Sequence, residues 1–284
     1  MRIGITGCPP HQTPEEWAAT LDGLGYRAAT LPCDDATPSA VVDGYLDACR
    51  RHDLLVAEVG AWSNPMSLDP ETRAAALSLC KRRLAFADRI GAACCANISG
   101  AVVGAGGRWD GGYPENYTAE TYERLVATVR EILDDVRPSR TFYTIEPMPW
   151  MVPDSPEAYA RLLRDVDRPR FAVHLDIANW INCPARFFGY RAFVDECFAL
   201  LGHAVKSIHL KDVALGPEMP SCLRECPPGT GGVDLRHYLR RASELPPDTP
   251  VLLEHLPDFP TYVATLQKIS ADGIFPLYTG GRVC

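Results

Sequence analysis

The sequence contains no apolar run approaching the roughly 20 residues that a membrane-spanning helix needs, so a role inside a bilayer is not expected. Its first residues, MRIGITGCPP, carry neither a basic start, an apolar signal core nor a small-residue cleavage site, and a cytoplasmic setting is expected. Positive charge is in short supply: 28 Lys and Arg stand against 36 Asp and Glu, a formal net charge of −8. A chain that neutralises successive phosphates along a polymer needs the opposite balance. The expected partner is therefore a small polar molecule rather than nucleic acid or an anionic membrane. There is also no Cys-x-x-Cys pair among the 11 cysteines, the nearest approaches being the adjacent Cys94 and Cys95 and the Cys222/Cys226 spacing. An odd number of thiols, several of them in apolar segments (Cys49, Cys80, Cys94), reads as small core residues in a reducing compartment rather than as a disulfide framework.

No linker, composition break or short internal repeat interrupts the chain. What fills it is an alternation of short β-branched or aromatic runs with longer segments of helical period, the pattern of parallel βα units. Strands are expected near residues 2–6, 26–31, 54–59, 92–98, 142–146, 171–176, 205–210 and 251–254. Helix starts are marked by a capping residue followed by proline: Thr13-Pro14, Thr37-Pro38, Asp69-Pro70 and Ser155-Pro156. Eight such units without a boundary predict an α/β fold, a single (β/α)8 TIM barrel spanning residues 1–284 as one domain, with its active site at the C-terminal ends of the strands.

Two connections are long. Residues 99–116 (SGAVVGAGGRWDGGYPEN) follow the fourth strand and place glycines at the expected mouth, either as a lid or as a solvated loop. No helix begins directly behind their Gly-Ala-Gly-Gly, which excludes a phosphate-binding fingerprint. Residues 213–234 form the second long connection. The tail from Tyr278 to Cys284 either covers the barrel or reaches a partner subunit, and a homo-oligomer stays open.

The last four strands end in ionisable groups: Thr-Ile-Glu146, His-Leu-Asp176, Ser-Ile-His209-Leu-Lys211-Asp212 and Leu-Leu-Glu254-His255. Strand ends converge on one mouth in a barrel, so residues distant in sequence meet there. One carboxylate at a strand end is often a cap or an ion-pair partner, but ionisable groups at four strand ends in succession need four separate structural explanations to replace one metal ion. Three carboxylates and an imidazole form a hard donor set suited to Mn²⁺ first, with Mg²⁺ or Co²⁺ as alternatives. Four protein ligands on an octahedral ion leave two positions for adjacent substrate oxygens.

These four residues, with Pro228-Gly229-Thr230-Gly231-Gly232-Val233-Asp234 after the histidine strand, resemble the xylose isomerase-like superfamily of sugar phosphate isomerases and epimerases. That superfamily includes ketose 3-epimerases, hydroxypyruvate isomerases, inosose dehydratases and an endonuclease IV branch. The resemblance implies that Glu146 and Glu254 both bind the metal and face opposite sides of the substrate, one abstracting and one returning a proton. It implies that Asp176 and His209 are ligands only. Removing a proton next to a carbonyl builds charge on oxygen, which a divalent ion stabilises in the enediolate.

Five further residues are expected to contact a sugar-like substrate. Lys211 shares a strand face with His209 and is suited to an oxyanion, or else pairs with Asp212 at the surface. Arg224 resembles the arginine that many family members direct at substrate oxygens. Trp62 and Asn64, at the end of the third strand, suit a sugar's C–H face and hydroxyls. Asn179 stands where the ketose epimerases place a histidine three residues after the metal-bound aspartate; an amide hydrogen-bonds a hydroxyl but does not titrate. His174 is expected inward as a packed histidine, and Glu58 is kept as an extra acid or base. The expected activity is metal-dependent isomerisation or epimerisation. β-Elimination from the same site, as a dehydratase or lyase, is the alternative, while an endonuclease IV-like phosphodiesterase or a non-catalytic sugar-binding barrel fits less well.

Overall fold

Parallel strands alternate with helices along the chain, and the longer helices, such as Pro14–Leu24, Pro70–Ile90 and Pro156–Val166, bury apolar residues along one stripe. The structure, a computed structural model, describes residues 1–274. The expected tail contacts of Tyr278 to Cys284 lie outside the described residues. The strands are β1 (Arg2–Ile5), β2 (Ala28–Ala29), β3 (Leu55–Val56), β4 (Glu58–Gly60), β5 (Cys94–Ile98), β6 (Tyr143–Glu146), β7 (Phe171–Leu175), β8 (Val205–Leu210), β9 (Asp212–Gly216), β10 (Cys222–Cys226) and β11 (Pro250–Leu253). This is the (β/α)8 TIM-barrel fold expected from the alternation.

The chain divides into two compact units. The first comprises Met1–Ala57, Ile181–Asp195 and the described residues from Ile208 onward; the second comprises Glu58–Trp180 and Glu196–Ser207. Within the first, β1 pairs in parallel with β2 and β11, β2 with β3, and β11 with the last three residues of β8. Within the second, β4, β5, β6 and β7 pair in parallel in chain order. The strand expected over residues 54–59 is therefore two pieces, β3 paired with β2 and β4 paired with β5.

Three of the four proline-marked helix starts have the capping bond that their sequence implies. Thr13 accepts the amide of Glu16, Asp69 that of Thr72 and Ser155 that of Ala158, opening the helices Pro14–Leu24, Pro70–Ile90 and Pro156–Val166. Each such cap contributes about 1 kcal/mol. Thr37 does not cap: the helix Ser39–Arg51 starts behind Pro38 with no side-chain cap, and the Thr37 hydroxyl instead donates to Asp34 at 3.1 Å. The Asp-Asp-Ala-Thr turn occupies that hydroxyl in both senses, since it also accepts the Asp34 main-chain N–H at 3.0 Å, the role a cap would have filled. The long connection after β8 is also more ordered than its composition suggests, because β9 and β10 form an antiparallel hairpin within it.

Cores form on the inner sides of both units. In the first, Trp17 and Leu21 of the helix Pro14–Leu24 are fully buried, and Trp17 meets Tyr45 edge-on at 5.5 Å. In the second, Tyr159 of the helix Pro156–Val166 is buried and its hydroxyl donates to the Ile145 carbonyl at 2.6 Å, fixing that helix against the strand that ends in Glu146. A buried apolar side chain of this size stabilises by roughly 1.5–3 kcal/mol. Among the described residues, no helix is long and apolar enough to cross a membrane.

Candidate functional site

Strand alternation decides which side chains reach the site. In the second unit, Thr144 and Glu146 of β6 share a face with Ala172 and His174 of β7, and Asp176 follows His174 by two residues. Glu146 and Asp176 are both buried. Asn179 joins them. Its main-chain N–H donates to Asp176 Oδ1 at 3.3 Å, and its amide Nδ2 donates to Glu146 Oε1 at 3.2 Å and to the Pro147 carbonyl at 3.0 Å. The short helical turn Ala178–Trp180 makes this possible, with Trp180 buried and its indole N–H donating to the Pro153 carbonyl at 3.1 Å. Asn179 thus orients a carboxylate.

In the first unit, His209 and Lys211 of the segment that ends β8 lie on one face, and Glu254 directly follows β11, the neighbouring strand. His209 Nδ1 lies 2.9 Å from Glu254 Oε2, and Lys211 Nζ lies 2.7 Å from the same oxygen. Burial of Glu254 opposes its ionisation, but the neighbouring charge and hydrogen bond of His209, with the charges of Lys211 and His255, outweigh it and hold the carboxyl well below the ordinary carboxylate range. Lys211 is buried rather than a surface lysine, and its neighbour is Glu254, not Asp212.

Asp212 has a different task. Its carboxylate accepts the main-chain N–H groups of Val213 (2.8 Å), Gly229 (3.0 Å), Gly231 (2.9 Å) and Val233 (3.4 Å), gathering the Pro-Gly-Thr-Gly-Gly run into a tight loop. Burial raises its pKa while these four donors lower it, leaving a net upward shift. A side chain at Gly231 would collide with Asp212 and the Val213 main chain, which is why that run is rich in glycine. Glu225, at the end of β10, was not singled out by sequence. It holds His255 Nδ1 at 3.1 Å and lies 3.7 Å from Lys211 Nζ. The hydrogen bond to Glu225 raises the His255 pKa, and with the charges of Glu254 and Glu225 it prevails over burial and the Lys211 charge. Nothing in a five-residue Cys-Leu-Arg-Glu-Cys run marks Glu225 until the hairpin brings it to β11.

The remaining expected contacts differ in kind. Trp62 is 40% exposed and leans over Gly60, where a Cβ would strike its indole. Asn64 is buried with both ends of its amide engaged: Nδ2 donates to the Ala101 carbonyl at 2.9 Å and Oδ1 accepts the Met66 N–H at 3.1 Å. Arg224 projects from the β9–β10 hairpin, 64% exposed, and donates to Glu218 at 2.8 Å. Cys222 and Cys226 close the two ends of β10 on the same hairpin.

The loop over residues 99–116 has an anchored base and an open tip. Asn116 is buried; it accepts the Val102 N–H at 2.9 Å and donates to the carbonyls of Gly111 and Trp150, both at 3.0 Å. A Cβ at Gly104 or Gly106 would meet nothing. Deleting one residue between Gly104 and Gly107 is therefore expected to leave the melting temperature within a degree or two, as removal of an uncontacted loop residue should. Asn116→Ala, which leaves three main-chain groups short of a partner, is expected to cost about 1–3 kcal/mol in denaturant unfolding. Equal losses from both variants would show that the tip is packed.

Chemically, the second unit offers two carboxylates steered by one asparagine and the first offers an imidazole, an ionised carboxylate and an ammonium. Carboxylate and imidazole donors of this kind suit a hard divalent cation. The buried carboxylates Glu146 and Asp176 and the part-buried Glu254 sit in surroundings where charge needs compensation, and Lys211 compensates Glu254 directly.

Comparison with known proteins adds the following. Residues 17–271 match the family model described as xylose isomerase-like TIM barrel. No curated protein sequence matches the chain. Among solved structures, an endonuclease IV from Thermus thermophilus is 16% identical over 96% of this chain and 98% of that one, with a TM-score of 0.72. The 3-keto-D-glucoside 4-epimerase from E. coli is 13% identical over 95% and 98%, with a TM-score of 0.66. A xylose isomerase-like TIM barrel protein from Mycobacterium smegmatis, solved in complex with magnesium, is 16% identical over 95% and 96%, with a TM-score of 0.62. At these identities the likeness is one of fold.

Proposed function

The chain belongs to the xylose isomerase-like TIM barrel family, and on that premise we propose that it is a divalent-metal-dependent enzyme that moves protons on a small polyhydroxylated carbonyl compound, as a sugar isomerase or epimerase. The observation that carries this reading is Glu254: a largely covered carboxylate just past a strand end, its side chain 11% exposed, kept ionised with an imidazole at 2.9 Å and an ammonium at 2.7 Å. In the proposal, Glu146, Asp176, His209 and Glu254 hold one ion, with Mn²⁺ the first candidate and Mg²⁺ or Co²⁺ the others. A magnesium-bound protein of the same fold supports the choice of a hard ion.

When bound, the ion polarises the substrate carbonyl and acidifies the neighbouring C–H. The chain's own residues do the rest. Glu146 and Glu254 take and return the proton, while Asp176 and His209 hold the ion. Asn179 fixes which Glu146 oxygen is turned to the substrate, since its amide hydrogen-bonds Oε1. Lys211 places an ammonium where an oxyanion develops. Trp62 offers its exposed indole to a sugar face, and Asn64 holds the loop beneath it. Arg224 reaches the substrate on leaving Glu218.

A second reading, β-elimination by a dehydratase or lyase, is favoured by Asn179, which cannot titrate where the ketose epimerases place a histidine. The fold is shared with an endonuclease IV, but a net charge of −8 weighs against a long phosphate polymer as substrate. The proposed setting is cytoplasmic. Mn²⁺ titration followed by electron paramagnetic resonance tests the metal assignment: one ion per chain is expected in the wild type, with affinity lost in a His209→Ala, Glu254→Ala double variant. Unchanged affinity in that variant would place the ion elsewhere.

A further inference from the structure

Four buried side chains of the second unit, none of them used in the proton transfer above, meet on one face of its sheet. Glu58 opens β4 and Cys94 opens β5 directly opposite it in the parallel register, so both side chains leave the sheet on the same side and Cys95 leaves on the other. His174 lies on β7, and the stagger of parallel barrel strands carries it to the level of Glu58. Ser207 lies on the second-unit part of β8. His174 Nδ1 is 3.4 Å from Glu58 Oε2, and Ser207 Oγ donates to that oxygen at 3.2 Å. A carboxylate oxygen of Glu58, the sulfur of Cys94 and a ring nitrogen of His174 all lie within 4.8 Å of one another. All four residues are at most 5% exposed.

The His174–Glu58 separation is informative. In a tetrahedral zinc shell with bonds of about 2.0–2.3 Å, neighbouring donor atoms stand roughly 3.3–3.7 Å apart. From this spacing and donor set we propose that Glu58, Cys94 and His174 form a second cation site, for Zn²⁺ or a comparably borderline-soft divalent ion. Thiolate, imidazole and carboxylate together select such an ion over Mg²⁺ or Mn²⁺, so this site and the carboxylate-rich set at the strand ends take different metals. As the metal–sulfur bond forms, the Cys94 thiol proton is released to solvent and His174 binds as the neutral imidazole. A dication with one thiolate and one carboxylate leaves the cluster electrically neutral, which suits its burial. Water or the Ser207 hydroxyl completes the shell.

Co²⁺ is the probe, because a cobalt–thiolate bond gives a near-ultraviolet charge-transfer band that a cobalt ion held by carboxylates and imidazole does not. Full-length protein refolded with excess Co²⁺ is expected to show this band at one thiolate-bound ion per chain. The band should survive in Asp176→Asn and in a Cys222→Ser, Cys226→Ser variant, and vanish in Cys94→Ser. Should Cys94→Ser not fold, Glu58→Gln replaces it, with Co²⁺ affinity at this band expected to fall at least tenfold. Absence of the band from the wild type, its persistence in Cys94→Ser, or its loss with the β10 cysteines would overturn the site. Loss of Mn²⁺ binding at the strand ends leaves this result untouched, so the two assignments fail separately.

Discussion

Glu146→Gln and Glu254→Gln are each expected to lower turnover by ~10²-fold or more, the scale of a lost general base, while retaining bound metal. Glutamine keeps an oxygen that can remain at the ion and removes the group that takes the proton. Because the loss is one of proton transfer, raising Mn²⁺ should not restore activity. The two variants should also differ in stability. Glu254 Oε2 lies 2.9 Å from His209 Nδ1 and 2.7 Å from Lys211 Nζ, so its replacement removes the nearer of the two carboxylates beside a buried ammonium, Glu225 standing 3.7 Å away; breaking one partner of such a pair costs up to about 3–5 kcal/mol. Glu146 is tied by Asn179, a neutral donor, and its replacement should cost less, about 1–3 kcal/mol. Near-normal turnover by both variants with metal bound would end the two-carboxylate mechanism and move the search for a base to Lys211, His174 and Glu58.

Asp176→Asn should separate metal binding from proton transfer in the opposite direction. Here the expected loss lies in affinity for Mn²⁺, by at least the roughly 10–100-fold that removal of an outer-shell partner costs at metal sites. Saturating Mn²⁺ should then recover a substantial part of turnover. The Asn179 main chain still finds an oxygen acceptor in the new side chain, so the turn that positions the Asn179 amide at Glu146 is expected to persist. Equal loss at all Mn²⁺ concentrations would instead assign Asp176 a part in the chemistry.

The strand ends were the most legible part of the sequence. Glu146, Asp176, His209 and Glu254 each close a run whose period and β-branched content mark a strand, and the observed strands end within one residue of the expected positions at all four. Helix starts were legible where a cap and a proline act locally, as at Thr13, Asp69 and Ser155, and not at Thr37, whose hydroxyl answers to a turn four residues long. Side-chain partnerships between distant segments were the opaque part. Lys211 next to Asp212 suggested a pair, but adjacent residues on a strand point to opposite faces, and Lys211 turns to Glu254 while Asp212 turns to its glycine loop. The hairpin that lifts Arg224 onto Glu218 and delivers Glu225 to His255 is formed from β9 and β10, whose pairing no local signal announces. Asn179 was legible as a departure from a pattern; that its amide steers Glu146 depends on the short turn Ala178–Trp180 and was not.

The central claim is that this chain abstracts a proton from carbon next to a carbonyl with the help of a bound divalent ion. Deuterium wash-in from D₂O tests it most directly, because exchange reports proton abstraction before isomerisation, epimerisation or elimination is decided. Wild-type protein would be incubated with a panel of ketoses, keto-acids and keto-glycosides, with Mn²⁺ and with the metal removed by a chelator. The account predicts exchange into at least one class of substrate with Mn²⁺, abolished by the chelator and restored on adding the ion back. Exchange that proceeds undiminished in the metal-free protein would contradict it.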